Sequence, residues 1–121
     1  MSMLPAALAL RRDHDGLMTD ERHHVVARLW EEHLQAPFPA RLRRAEVAGA
    51  EMIMLDADTA GCVKSWLDNH GRLDGRRREV IASCLDELNR VVPILADQDE
   101  VAYCERLREL AALICGRPAT K

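Results

Sequence analysis

Aromatic side chains are scarce in this chain. They make up 3% of its 121 residues, as two Trp, one Tyr and one Phe, whereas hydrophobic residues as a whole reach 48%. The core must therefore be built from Leu, Val, Ile, Ala and Met. Because strands are enriched in aromatic and β-branched residues, this composition favours helices over a β-sandwich. The length corresponds to one domain.

Positive charge is not in excess, and lysine is nearly absent. Seventeen Lys and Arg residues stand against 20 Asp and Glu residues, which gives a net charge of −3. Without a basic field, neither nucleic acid nor an anionic membrane is an expected partner. No run approaches the roughly 20 apolar residues of a membrane span, and the apolar start of the chain lacks the positive region that opens a secretory signal. We therefore expect a cytoplasmic protein.

Paired cysteines are also missing. Cys62, Cys84, Cys104 and Cys115 are separated by long intervals and form no CxxC pair. Each lies in or beside an apolar stripe, where a free cysteine acts as a small buried hydrophobe. A catalytic thiol would need exposure and positive surroundings, which the sequence does not indicate. We interpret the four cysteines as core residues.

What the chain does have is helical periodicity in four segments. The predicted helices cover residues 20–35, 57–69, about 75–95 and about 98–115. Their apolar residues recur at the spacing of one helical face. Short connections between such helices predict a mainly α fold, a compact four-helix bundle-like domain over residues 18–117. Residues 1–17 are predicted to form a mobile N-terminal extension.

The segment between the first two predicted helices is ambiguous. Residues 52–55 form a continuous apolar run, which is typical of a short buried strand, and Ala48-Gly49 could form a turn before it. A short strand or hairpin over residues 44–55 is the favoured prediction. A helix over residues 41–47 is the alternative, because Ala, Arg and Leu favour helices.

Aspartates precede the later helices, where their side chains can cap the first turn. Asp56 or Asp58 is the predicted cap of the second helix, Asp74 of the third and Asp97 of the fourth. Gly116 is the predicted end of the last helix. Under this interpretation the two aspartates of the second helix are structural.

Residues 52–59 read MIMLDADT and offer a catalytic alternative. The segment resembles the first motif of the haloacid dehalogenase-like phosphatases. The resemblance implies that Asp56 is a nucleophile, that Asp58 is the acid and base, and that Mg²⁺ lies between them. That chemistry is coherent, since the metal neutralises charge while a carboxylate attacks phosphorus. The resemblance covers eight residues, and the helices that follow lack the strands of that family's parallel sheet, so we favour the caps.

His33 and an arginine cluster are the remaining candidates for binding. His33 falls in the middle of the apolar face of the first helix, which indicates a core histidine with a hydrogen-bond partner or the centre of a metal or small-ligand site. Arg76, Arg77 and Arg78 lie at the start of the third helix, where positive charge opposes the helix dipole. They form either a surface for an acidic partner or an ordinary solvated face.

No complete catalytic constellation emerges, and we identify no family across the whole chain. We therefore expect a non-enzymatic protein-interaction or regulatory module, without cofactor, whose partner is another protein or a second copy in a homodimer. The alternatives are a Mg²⁺-dependent phosphohydrolase that uses Asp56 and Asp58, and a ligand or metal-binding module around His33.

Overall fold

Four helices make up most of the chain, as the periodicity predicts. The computed structural model describes residues 13–116, and the side chains of residues 21–116. The helices are α1 (Asp13–Gln35), α2 (Met52–Asp68), α3 (Gly75–Val91) and α4 (Gln98–Cys115). Helix α1 begins before the predicted start at Asp20. The predicted extension remains untested, because residues 1–12 lie outside the described part.

Helix α4 is the centre of the packing. It contacts α1, α2 and α3, and its contact with α3 is the most extensive in the fold. Leu107, Leu110 and Ala111 of α4 are fully buried. The apolar stripes of all four helices meet in one aliphatic core. This is the helix-on-helix architecture that the composition favours.

A small hairpin connects α1 to α2. After the 3-10 helix Ala40–Arg44, strands β1 (Glu46–Val47) and β2 (Ala50–Glu51) pair in antiparallel fashion. The turn residues Ala48 and Gly49 have φ angles of 51° and 83°. Two-residue hairpin turns of this kind have positive φ at both central positions. The predicted hairpin is confirmed, and the 3-10 helix occupies part of the segment for which a helix was the alternative.

The apolar run that follows is helical, so its prediction as a strand is wrong. Met52 and Leu55 are buried while Ile53 and Met54 are exposed, which is a helical and not an alternating pattern. Helix α2 begins at Met52, directly after β2. Glu51, the residue directly before the helix, makes no capping hydrogen bond with its side chain.

The predicted caps at Asp74, Asp97 and Gly116 are confirmed, whereas α3 ends at Val91, before the predicted residue 95. The Asp74 carboxylate accepts a hydrogen bond of 2.8 Å from the backbone N–H of Arg77. The Asp97 carboxylate accepts bonds of 2.9 and 3.1 Å from two backbone N–H groups in the first turn of α4. Gly116 ends α4 in the left-handed conformation, with φ of 79°. These local signals are strong because a cap needs only neighbouring residues.

Candidate functional site

A polar cluster of two buried side chains and one partly buried carboxylate joins three helices. It consists of His33 from the last turn of α1, Asp56 from α2 and Tyr103 from α4. The Tyr103 hydroxyl donates to Oδ1 of Asp56 at 2.9 Å, and Nε2 of His33 lies 3.3 Å from that same oxygen and 3.3 Å from the hydroxyl. We call this the His33–Asp56–Tyr103 cluster. It shows that Asp56 is not a helix cap, because its partners come from other helices.

His33 is a core histidine, as one of the two interpretations predicts. Its side chain is only 6% exposed, and it lies between the rings of Trp30 and Tyr103. With Nε2 beside a carboxylate oxygen, the hydrogen-bond geometry assigns the proton to Nε2. The other nitrogen, Nδ1, is buried and has no hydrogen-bond partner among the described residues.

The Tyr103 hydroxyl stays protonated at neutral pH. Burial is the main cause that raises the pKa of its hydroxyl, and the hydrogen bond to Asp56 and the charge of that carboxylate raise the pKa further. A tyrosine in this state donates a hydrogen bond and does not act as a base. The cluster is therefore a set of fixed donors around one carboxylate.

Asp56 and Asp58 do not converge, contrary to the geometry that the phosphatase resemblance implies. Both lie inside α2, and residues two apart on a helix point about 200° away from each other. Asp58 is exposed and lines a recess with Arg76 and Arg77. Within residues 21–116, no three His, Cys, Asp or Glu side chains come together as a metal site would require.

A groove runs along α4 beside the cluster. One wall is the stripe Asp99, Ala102, Tyr103 and Arg106, which lie at the spacing of one helical face. The other wall is residues 36–40, the proline-containing segment after α1, and the groove has a volume of about 530 Å³. Its lining is Ala36, Pro37, Phe38, Pro39, Ala40, Asp99, Ala102, Tyr103 and Arg106. We call it the Tyr103 groove.

The walls of the Tyr103 groove are joined by an aromatic contact. The Phe38 ring meets the Tyr103 ring edge to face, with centroids 5.5 Å apart. The guanidinium carbon of Arg106 lies 5.8 Å from the centre of the same tyrosine ring. Tyr103 thus faces the cluster with its hydroxyl and the groove with its ring, so the cluster fixes one wall of the groove.

The arginine cluster at the start of α3 is partly engaged in local contacts. Arg77 contacts the Asp74 cap through its backbone N–H and through Nη1, at 2.8 and 2.7 Å. Arg78 donates from Nη1 to the carbonyl oxygen of Leu73 at 2.7 Å. Arg76 is exposed and lines the recess beside Asp58. These contacts explain how positive charge is tolerated where the helix dipole opposes it.

The cysteines are core residues, as predicted. Cys62, Cys84 and Cys104 are buried and Cys115 is partly buried, and none of them forms a disulfide. Burial raises the pKa of the Cys84 thiol to about 11 and that of Cys104 to about 12. Burial also raises the pKa of Cys62. Such thiols stay protonated, which makes them poor nucleophiles.

Two contacts escaped the sequence-based predictions. Tyr103 falls at the spacing of the apolar face of the fourth helix, and nothing local indicates that its hydroxyl reaches Asp56 across the fold. Glu100 is 5% exposed and accepts a 2.9 Å bond from Nε of Arg41, a residue of the 3-10 helix Ala40–Arg44. The one available signal was the position of Glu100 within the face of α4 that carries Tyr103 and Leu107.

A third feature is the side of α2 that points away from the core. Ile53 is 41% exposed and Met54 is 51% exposed, and Ala57 and Gly61 are exposed beside them. We call these four residues the outer face of α2. The opposite, inner face is buried and consists of Met52, Leu55, Thr59, Cys62, Val63 and Trp66. Helix α2 therefore exposes an apolar patch on its outer side, next to the exposed carboxylate of Asp58.

Comparisons with known proteins add no function. No helix within the described residues has the length and hydrophobicity to span a membrane. The chain matches no protein-family model, and no curated protein and no solved structure is significantly similar to it.

Proposed function

We propose that this protein is a non-enzymatic protein-interaction module that binds a second copy of itself through the outer face of α2. The observation that carries the proposal is the exposed apolar patch on the outer side of α2. Exposed apolar patches on a protein surface commonly mark interaction sites. Within the described chain only the inner face of α2 is covered.

Gly61 supports the same surface. It lies in the middle of α2, where glycine lowers helix stability by about 1 kcal/mol relative to alanine. Its φ is not positive, and a Cβ added there would meet no atom within 4 Å. No contact among the described residues therefore requires a glycine at this position. Close approach of another helix backbone would require one.

The spacing of the outer face favours a second copy over an unrelated partner. Ile53 and Gly61 lie four residues on either side of Ala57. An antiparallel pair of α2 helices with a twofold axis at Ala57 would set Ile53 of each copy over Gly61 of the other. Such an interface is self-complementary, as twofold symmetry demands.

Charged residues near the ends of this antiparallel helix pair are compatible with a twofold axis at Ala57. Lys64 follows the axis position by seven residues and Glu51 precedes it by six, so these two would approach each other across the pair. Both side chains are exposed, and Lys64 pairs at 3.1 Å with Asp68 of its own helix. An exposed pair of this kind contributes little, so its exchange for an intermolecular one is inexpensive.

The proposal is tested by the oligomeric state in solution. Sedimentation equilibrium of the full chain should detect dimers whose population rises with protein concentration. Ile53→Glu should weaken dimerisation by at least tenfold, because it buries a charge in the interface. The matched control is Ile94→Glu, since Ile94 is an exposed apolar residue, 60% accessible, outside α2.

Comparison of Ile53→Glu with Ile94→Glu shows whether the outer face of α2 is the interface. A chain that remains monomeric up to millimolar concentration contradicts self-association. Dimers that Ile53→Glu and Ile94→Glu affect equally would place the interface elsewhere. Circular dichroism of both variants checks that each is folded. The proposed compartment is the cytoplasm, where the free cysteines of the described chain would stay reduced.

A further inference from the structure

We infer that the proposed dimer interface extends from α2 onto α3, where the exposed residue Arg76 pairs with Glu51 of the second copy. The inference rests on the proposed self-association and names the residues that make it specific. The surface concerned is the recess between the two helices, which has a volume of about 440 Å³. Ala57 and Gly61 of the outer face line it together with Arg76 and Arg77 of α3. The recess therefore continues the outer face of α2 onto α3.

The start of α3 lies beside the middle of α2. The Sγ atom of Cys62 donates to the backbone carbonyl oxygen of Arg77 at 3.7 Å, which aligns these two positions. Because a short connection turns α3 back along α2, Arg76 lies level with about residue 63 of α2. Its side chain is exposed at the edge of the recess.

The twofold axis at Ala57 brings Glu51 of the second copy to the same level. Glu51 precedes the axis position by six residues, and residue 63 follows it by six. Two basic side chains of the first copy, Lys64 on α2 and Arg76 on α3, would then flank one carboxylate of the second copy. The symmetry repeats this contact, so the dimer contains it twice.

Met54 would occupy the recess in the same arrangement. At about 100° per residue, Met54, Gly61 and Asp58 fall on one side of the outer face, and this side faces α3 because Asp58 and Gly61 line the recess. Ile53 falls on the other side. A twofold axis at right angles to both helices keeps the α3 sides of the two copies together, which puts Met54 of one copy beside Gly61 of the other. Methionine is flexible enough to fill such an irregular gap.

The charges of the recess leave Arg76 available for this contact. Arg77 and Arg78 make hydrogen bonds near the start of α3, whereas Arg76 makes no hydrogen bond or ion pair in the described part of the chain. Asp58 lies five residues, or about 7.5 Å along α2, from the level of Arg76. Glu51 is exposed, and its side chain caps no backbone group. Positive charge in the first turn of α3 opposes the helix dipole, and an acidic residue of the second copy offsets that cost.

Exchange of the two charges tests the pair. In the Arg76→Glu homodimer two acidic residues face each other, and in the Glu51→Arg homodimer two basic residues do. Each variant alone should therefore dimerise about tenfold more weakly than the wild type. A mixture of the two chains restores both contacts between opposite charges, so heterodimers should exceed their statistical share of half of all dimers. Native mass spectrometry of the full chains counts the three dimers, because the substitutions change the mass of each chain.

A mixture of Arg28→Glu with Glu51→Arg is the matched control. Arg28 is an exposed arginine on α1, outside the lining of the recess. The two chains of this mixture carry the same net charges as those of the first mixture. Their heterodimers should stay at the statistical share. Circular dichroism checks that every variant is folded.

Ionic strength gives a second readout. Association of the wild type should weaken several-fold between about 0.05 M and about 0.5 M NaCl, because salt screens exposed ion pairs. Arg76→Gln should reduce this dependence on salt, and Arg28→Gln should leave it unchanged.

Three results would overturn the inference. The first is statistical mixing of the Arg76→Glu and Glu51→Arg chains. The second is an Arg76→Glu homodimer as tight as the wild type, and the third is an Arg76→Gln variant with the salt dependence of the wild type. In each case, wild-type dimers that Ile53→Glu disrupts would still leave the outer face of α2 as the interface. A wild-type chain that remains monomeric up to millimolar concentration would instead overturn the inference together with the proposed self-association.

Discussion

The inner and outer faces of α2 have similar composition and opposite surroundings. The inner face is buried against the other helices, with Met52 and Leu55 at 1% and 2% exposure. The outer face carries equally apolar residues, with Ile53 and Met54 adjacent to them in sequence and about half exposed. Helix α3 shows the usual contrast, since the side opposite its core stripe carries arginines and acidic residues. Apolar character alone therefore does not distinguish a helix face that packs in the core from one that is exposed.

Leu55→Ala on the inner face should produce the largest effect. Leu55 is 2% exposed, and removal of a buried leucine side chain lowers the free energy of unfolding by about 2–5 kcal/mol. Ile53→Ala on the outer face is the matched control and should change it by less than about 0.5 kcal/mol. Urea denaturation at a concentration where the protein is monomeric measures both. Similar losses in the two variants would mean that the faces are not distinct in the monomer.

The next largest effect on stability should come from substitution of Asp56, whereas substitution of Asp58 should have little effect. Asp56→Ala leaves the Tyr103 hydroxyl and Nε2 of His33 without their acceptor, and one unsatisfied buried group lowers stability by about 1–3 kcal/mol. Asp58→Ala removes an exposed side chain and should have little effect. Thermal denaturation of the two variants makes the comparison. If Asp58→Ala proved the more destabilising, the cluster would not hold the three helices together.

Tyr103 should titrate above its ordinary range, and its pKa reports on the same cluster. It is the one tyrosine of the sequence, so the ultraviolet absorbance of phenolate follows it alone. Burial and then Asp56 raise its pKa in the folded protein, while the unfolded chain loses this proton near pH 10. The resulting stability is fully present below about pH 10 and is lost as the pH rises further.

A variant separates the two causes of this shift. Asp56→Asn should lower the pKa of Tyr103 without restoring its ordinary value, because burial, the larger cause, remains. Titration of wild-type Tyr103 near pH 10 in a protein that is still folded by circular dichroism would contradict the buried cluster.

The helices and their caps could be predicted because their signals are local. Asp74, Asp97 and Gly116 act on backbone groups within a few residues, and the sequence displays those neighbours directly. The hairpin turn could be predicted for the same reason. The overall fold class then followed from four periodic segments with short connections.

The contacts of Asp56 were not predictable from its neighbours. Its position after an apolar run indicated a cap or a catalytic strand end, and both interpretations assumed that α2 begins near Ala57. Helix α2 begins earlier, at Met52, because Met52 and Leu55 are buried in the core. This burial is a tertiary effect. The acceptor role of Asp56 depends on Tyr103, 47 residues away in sequence.

Gly61→Ala should have a modest effect on the monomer and should give the sharpest distinction between the two faces. Gly61 has helical φ and open space above it, so alanine should raise the free energy of unfolding of the monomer by about 0.4–1 kcal/mol. In the proposed dimer the same methyl group would meet Ile53 of the second copy and weaken association. Denaturation at low concentration measures the first effect, and sedimentation at high concentration measures the second. Higher stability of the monomer together with weaker association is expected only if a helix packs closely on this face. Improved stability with unchanged or tighter association would show that Gly61 approaches no partner, and the outer face would then have to be explained without a helix pair.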